Sequence, residues 1–226
     1  MHFPLLLLGI TVVSGIIIND NGGGGRSYGN GFSSSSSEEH GNRPRPHRPR
    51  PSRPNPPRGP RCPNDWMTFN RSQGPWCVKV FSGTGTAFYA QEQCKTHGAT
   101  LTGVQDGNER SQIANAARIV NNANGGGSDV WIDGKRRAEC PWKAACAPND
   151  TFEWTDGHTT GTAGFWWPGI EPSGSWNDQW RFQSCLVIHV SVADGQMGNW
   201  GYPHGSMDDE HCQQTWRMYA CGKRPS

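Results

Sequence analysis

Residues 130–134 read Val-Trp-Ile-Asp-Gly, a short β-branched and aromatic run closed by a glycine. That composition marks a strand ending in a turn. Working outward, Phe152–Thr155, Cys185–Val192 and Trp216–Cys221 share it and are predicted strands, set among long Gly- and Trp-rich loops. Upstream the period changes. Ala87, Ala90 and Cys94 fall on one face of a predicted helix over about 87–97, with Gly98 as its stop. A second helix is predicted over about 107–121, with Ile113, Ala116, Ala117 and Val120 as its apolar face. Asp106, with Glu109 three residues later, opens it at capping-box spacing. Two early helices followed by short strands make an α+β domain.

The 226 residues leave room for one ordinary domain and appendages. All eight cysteines and all eleven tryptophans lie at or after Cys62, so the domain is placed at 62–226. Met1–Ile18 is uncharged and apolar but broken by Gly9, Ser14 and Gly15. It is short for a membrane span of ~20 residues. A secretory signal peptide over 1–19 is the reading taken, with an uncleaved anchor as the other. Residues 20–42 are rich in Gly, Ser and Asn and are expected to be disordered. Residues 43–61 alternate Arg with Pro, with eight prolines in nineteen residues. Such a stretch favours polyproline II and spans up to about 60 Å. It reads as a stiff spacer or as a polybasic arm for anionic glycans or surfaces.

An even number of cysteines behind a signal peptide implies four disulfides and a secreted, extracellular protein. No CxxC occurs, which removes zinc-ribbon and thioredoxin readings. The sequons at Asn70 and Asn149 are candidate glycosylation sites. From Cys62 onward there are 13 Lys+Arg against 16 Asp+Glu, a balance of −3, so the basic character belongs to the upstream segment. A nucleic-acid-binding domain would carry its own basic face.

In order along the chain, the motifs resemble the C-type lectin-like family in its long form. Cys62-Pro63-Asn64-Asp65-Trp66 with Trp76-Cys77 is similar to its N-terminal hairpin, and Ala90 with Cys94 to its first helix. His97-Gly98-Ala99-Thr100-Leu101 resembles the GA-x-L that follows, and Val130–Gly134 the WIGL strand. Phe152–Gly157 resembles F-x-W-x-DG, and Trp216–Cys221 the closing strand. The resemblance implies the pairs Cys62–Cys77, Cys94–Cys221 and Cys185–Cys212, leaving Cys140 and Cys146 to close a small loop; spacing alone could not choose among so many pairings. That extra loop, the Met207-Asp208-Asp209 stretch and the leader resemble secreted lectin-like proteins expanded in nematodes.

The resemblance also implies where a sugar would bind. In the family five side chains hold a calcium ion, and two vicinal sugar hydroxyls complete its coordination. Glu171-Pro172-Ser173 stands in place of Glu-Pro-Asn, Gln183 in place of an acid before Cys185, and Met207-Asp208-Asp209 in place of Trp-Asn-Asp. Ligand-binding residues are therefore expected to be Glu171, Ser173, Gln183, Asp208 and Asp209, with Glu171, Asp208 and Asp209 as metal ligands. Three carboxylates keep the usual ligand charge, and hard oxygens suit calcium. Ser173 is the weak member, being shorter than asparagine. Trp176-Asn177-Asp178 matches the last motif but precedes the wrong cysteine, and reads as a coincidence of the loop.

Trp166, Trp167, Trp176, Trp180 and Trp200 fall in the long-loop region, where exposed indoles can stack on sugar faces but tryptophan is more often core. The expected function is a secreted, glycan- or glycoprotein-binding lectin with a degenerate calcium site. The alternative is a calcium-independent protein-binding or matrix module. Catalysis is not expected: there is no GxSxG elbow, and His204, Asp208, Asp209 and His211 lack HExxH spacing.

Overall fold

The computed structural model describes residues 59–226; the signal-peptide reading and all but the last three residues of the linker lie outside them. The chain opens with strands β1 (Met67–Arg71) and β2 (Gly74–Gly85), helix α1 (Ala87–Thr96) and strand β3 (Thr100–Leu101). Helix α2 (Gly107–Ala123) precedes β4 (Val130–Ile132), β5 (Lys135–Arg136) and β6 (Phe152–Glu153). Then come β7 (Trp176–Asn177), β8 (Arg181–Phe182), β9 (Cys185–Ile188), β10 (Met207–Glu210) and β11 (Trp216–Lys223). The fold is the α+β C-type lectin-like fold. No helix among the described residues is long and apolar enough to cross a membrane.

The main sheet runs β1-β2-β11-β4-β9-β10, with β3 also on β11. β4 shows why the opening motif decides the fold. Its side chains alternate between faces: Val130 and Ile132 join the core under α2, while Trp131 joins the cluster under α1. A strand covered on both faces must be apolar throughout, and all three residues are buried. Gly134 ends it at φ +145°, where a Cβ would lie 2.2 Å from Leu186 Cδ1, so no other residue fits that turn.

Both helices start on capped turns. Thr86 accepts from Tyr89 N at 3.2 Å, and Asp106 from Glu109 N at 2.8 Å. The reciprocal half of the α2 capping box is shifted by one residue, since Glu109 Oε2 accepts from Gln105 N. The buried face of α2 is also rotated from expectation. Ala114 and Asn121 are buried with Ile113 and Ala117, whereas Ala116 and Val120 only flank the core. Asn121 looks polar in the sequence but its Oδ1 accepts from Ser128 N, which closes the turn after the helix. The predicted strand 185–192 ends at Ile188, because beyond it Val190 N turns to the Asp129 side chain.

Four disulfides join Cys62–Cys77, Cys94–Cys221, Cys140–Cys146 and Cys185–Cys212. Cys94–Cys221 spans 127 residues and fastens α1 to β11. On a chain-entropy argument a loop of that length stabilises by about 4–5 kcal/mol. Arg61 N donates to Ser226 O, so the described chain enters beside its own C-terminus.

Candidate functional site

β9 and β10 pair with Asp208 opposite Val187 and Asp209 opposite Leu186, which delivers both acids to the end of the main sheet. The segment before β7 brings Glu171 and Ser173 to the same place, and one oxygen from each of Glu171, Asp208 and Asp209 lies within 4.8 Å of the others. Ser173 N donates to Glu171 Oε2 at 2.6 Å and to Asp209 Oδ1 at 2.7 Å. Gly174 N donates to Asp209 Oδ2 at 2.8 Å. Ser173 Oγ donates to Gln183 Oε1 at 2.9 Å. All five residues expected at the site are thus brought together.

Three further side chains close on the acids. Arg136 Nη2 donates to Asp209 Oδ2, both side chains being buried. The guanidinium is fixed by donation to Gln183 O at 2.7 Å and Cys140 O at 3.1 Å. Tyr202 Oη donates to Glu171 Oε1 at 2.6 Å. His189 lies between Asp129 (Nδ1 to Oδ2, 3.1 Å) and Asp208 (Nε2 to Oδ2, 3.5 Å). Gly174 has φ +59°, and a Cβ there would lie 3.1 Å from Lys143 N and 3.3 Å from Arg136 Nη2; glycine lets the loop seat against the arginine.

The titrations follow from this arrangement. Burial alone would lower the His189 pKa, but Asp129 and Asp208 raise it to about 9. Asp208 is pushed up to about 7 by burial and by Glu171, with His189 opposing. Burial also works against charge on Glu171, yet hydrogen bonds from Tyr202, Asp208 and Ser173 bring it below its ordinary value. Asp208 Oδ1 is buried and has no hydrogen-bond partner. Asp209 rises to about 6 through burial, against Arg136 and Gly174. Four carboxyl groups thus meet two cationic side chains and two backbone amides.

Comparison with known proteins decides the family. The family model for C-type lectin domain-containing protein 141/158 matches residues 60–223. The chain belongs to this family. No curated protein matches the chain. Among solved structures it is similar to the cow C-type carbohydrate-recognition domain of CD23, crystallised with a GlcNAc2Man3 oligosaccharide, at 16% identity and TM-score 0.47, covering 74% of this chain and 98% of that one. It is also similar to human lithostathine (15%, 0.49, 77% and 99%) and to the C-type lectin CEL-I from Cucumaria echinata (19%, 0.48, 73% and 99%).

The cluster gathers the three acids expected as metal ligands, but most of their oxygens are already engaged by the chain itself. Calcium takes six to eight oxygen ligands. Of the six carboxylate oxygens of Glu171, Asp208 and Asp209, only Asp208 Oδ1 lacks a protein partner. Gln183 Oε1 accepts from Ser173 Oγ and Ser175 N, so that pair is also engaged. The Arg136 guanidinium neutralises Asp209. The three acids expected as a calcium set, Glu171, Asp208 and Asp209, do converge, and cations from the chain itself meet them there.

Arg136, His189 and Tyr202 went unnoticed in the sequence. Arg136 belongs to the Lys135-Arg136-Arg137 run just after the strand motif, and that was its only signal. In Trp176-Asn177-Asp178, Asn177 Oδ1 accepts from Trp180 N and shapes the β7–β8 turn, apart from the carboxylates. Of the five loop tryptophans, Trp166, Trp176 and Trp200 are exposed, Trp200 at 71%. Trp142, which was not singled out, is 59% exposed. It stands with Ile170 on the wall of a cavity of about 460 Å³ between the Cys140–Cys146 loop and Glu171-Pro172. Asn70 and Asn149 are exposed, though Asn149 Oδ1 accepts from Trp167 Nε1.

Proposed function

We propose that this chain is a secreted recognition protein that binds a glycan or glycoprotein ligand reversibly and without calcium. The observation that carries the reading is the saturation of Asp209 by Arg136 and of Glu171 by Tyr202 and Ser173 N. In a calcium-dependent site those oxygens hold the metal, and the metal holds the sugar hydroxyls. Here recognition falls to the surface around the cluster, where Trp142, Trp166, Trp176 and Trp200 offer exposed rings for the C–H faces of sugars. Pairing of every cysteine supports an oxidising, extracellular setting, and exposed Asn70 and Asn149 could carry N-glycans there. The narrower resemblance to secreted nematode proteins rests on the Cys140–Cys146 loop, the Met207-Asp208-Asp209 stretch and the leader.

A glycan array probed with the secreted chain, with and without chelator, tests this. The reading expects the same bound glycans in both conditions. Binding abolished by chelator and restored by calcium would sink it.

A further inference from the structure

On another side of Arg136 lies a second concavity, of about 310 Å³, lined by Phe88, Arg136, Arg137, Pro141, Trp180 and Arg181 among others. No acidic residue lines it. Arg136 is spent on Asp209. Arg137 donates through Nε to Phe152 O at 3.4 Å, and its one ion pair, with Glu139 at 3.8 Å, is loose and exposed. Arg181 makes no ion pair among the described residues; its guanidinium lies 5.1 Å from the Trp176 ring centroid. Phe88, on the first turn of α1, is 62% exposed. Past Phe88, Ser184 and Cys212 the concavity continues into an apolar trough with Leu101 and Ile132 in its walls.

Arg181 also has an unusual backbone. It follows the three-residue turn Asp178–Trp180 of the β7–β8 hairpin at φ +66°. That position in such a hairpin is ordinarily filled by glycine, because a Cβ is strained there. Arginine at a strained, exposed position points to work done by its side chain rather than by the turn.

We propose that this cleft binds an anionic saccharide, with its sulfate or carboxylate between Arg137 and Arg181 and a ring face on Phe88. The proposal rests on the recognition reading above and names the ligand class. Guanidinium forks suit sulfate and carboxylate oxygens, and the aromatic walls suit sugar C–H faces. An acidic peptide fits less well. Docking by strand addition needs a sheet edge, and the strands lining the cleft, β5 and β8, are two residues long.

The test measures binding of the full secreted chain to a heparin octasaccharide, its desulfated counterpart, a neutral mannose oligosaccharide and a polyglutamate peptide. Arg181→Gly is the decisive variant: it removes the side chain and relieves the backbone, so it should melt no lower than the parent. Arg137→Gln is its companion. A third variant replaces the arginines of 43–61 with glutamine, because that segment is itself polybasic. We expect heparin binding to weaken about fivefold or more in Arg181→Gly and Arg137→Gln, with the neutral sugar unbound. Comparison with the desulfated ligand assigns the anionic group as sulfate or carboxylate. Loss confined to the 43–61 variant would overturn the cleft while leaving the recognition reading intact. Equal binding of polyglutamate, lost in the same variants, would overturn the saccharide assignment.

Discussion

Two arginines are buried in this domain, and they do different work with the same chemistry. Arg71 lies between β1, α2 and the 156–159 loop. Its guanidinium donates to Glu109 Oε1 through Nε (3.1 Å) and Nη2 (2.8 Å), to Thr159 Oγ1 at 2.9 Å and to Gly103 O at 3.2 Å. Its ion-pair partners are Glu109, in the first turn of α2, and the buried Asp156 at 4.0 Å, so the charges are sunk in the scaffold. Arg136 sits on a two-residue strand and meets an acid from a convergent cluster, held there by the carbonyls of Cys140 and Gln183. One arginine completes a packing problem. The other neutralises an acid of the convergent cluster.

The comparison predicts unequal damage. Breaking a buried pair from one side typically costs about 3–5 kcal/mol. Arg71→Ala is expected to fall in that range by urea or thermal unfolding, with no recovery when calcium is added, because Glu109 and Asp156 do not converge as a metal-binding group. A calcium-dependent rescue of Arg71→Ala would erase the distinction. A smaller contrast concerns glycines. Gly98 and Gly174 both have left-handed backbone, but a Cβ at Gly98 meets nothing within 4 Å. Gly98→Ala should cost about 1–2 kcal/mol, the conformational penalty alone. Gly174→Ala should cost more, since it also displaces Arg136 or the Lys143 backbone. Equal melting temperatures for the two variants would argue against the seating of that loop on the arginine.

The smallest effect is in pH. His189 is raised from 6.5 to about 9, so its protonated form favours the fold. That contribution is fully present below about pH 6.5 and is lost as pH rises through about 9. Thermal melts should therefore fall across this window in the parent and flatten in His189→Gln.

How much of this was legible in the sequence follows the same division. The scaffold could be read because its signals repeat: alternation in Val130–Ile132, a helical face at Ala87, Ala90 and Cys94, and capping spacing at Asp106. Glu171, Ser173, Gln183, Asp208 and Asp209 could be named because a family pattern marks their places, and they do converge. Arg136 and His189 could not. Each lies on or beside a very short strand with no period to read, and its role depends on acids 73 and 60 residues away. Charge counting could weigh the acids but not the cations that pair with them, because those pairings join residues far apart in the sequence. Trp142 was missed for a similar reason, standing in a loop outside the expected site.

The central claim is that Arg136 stands in for a metal. Calorimetric titration of calcium into the parent chain and into Arg136→Gln tests it most directly. The parent should give no binding heat up to millimolar calcium, the range of extracellular modules, and Arg136→Gln should bind and gain thermal stability as it does. Saturable calcium binding by the parent, unchanged in Arg136→Gln, would contradict the account.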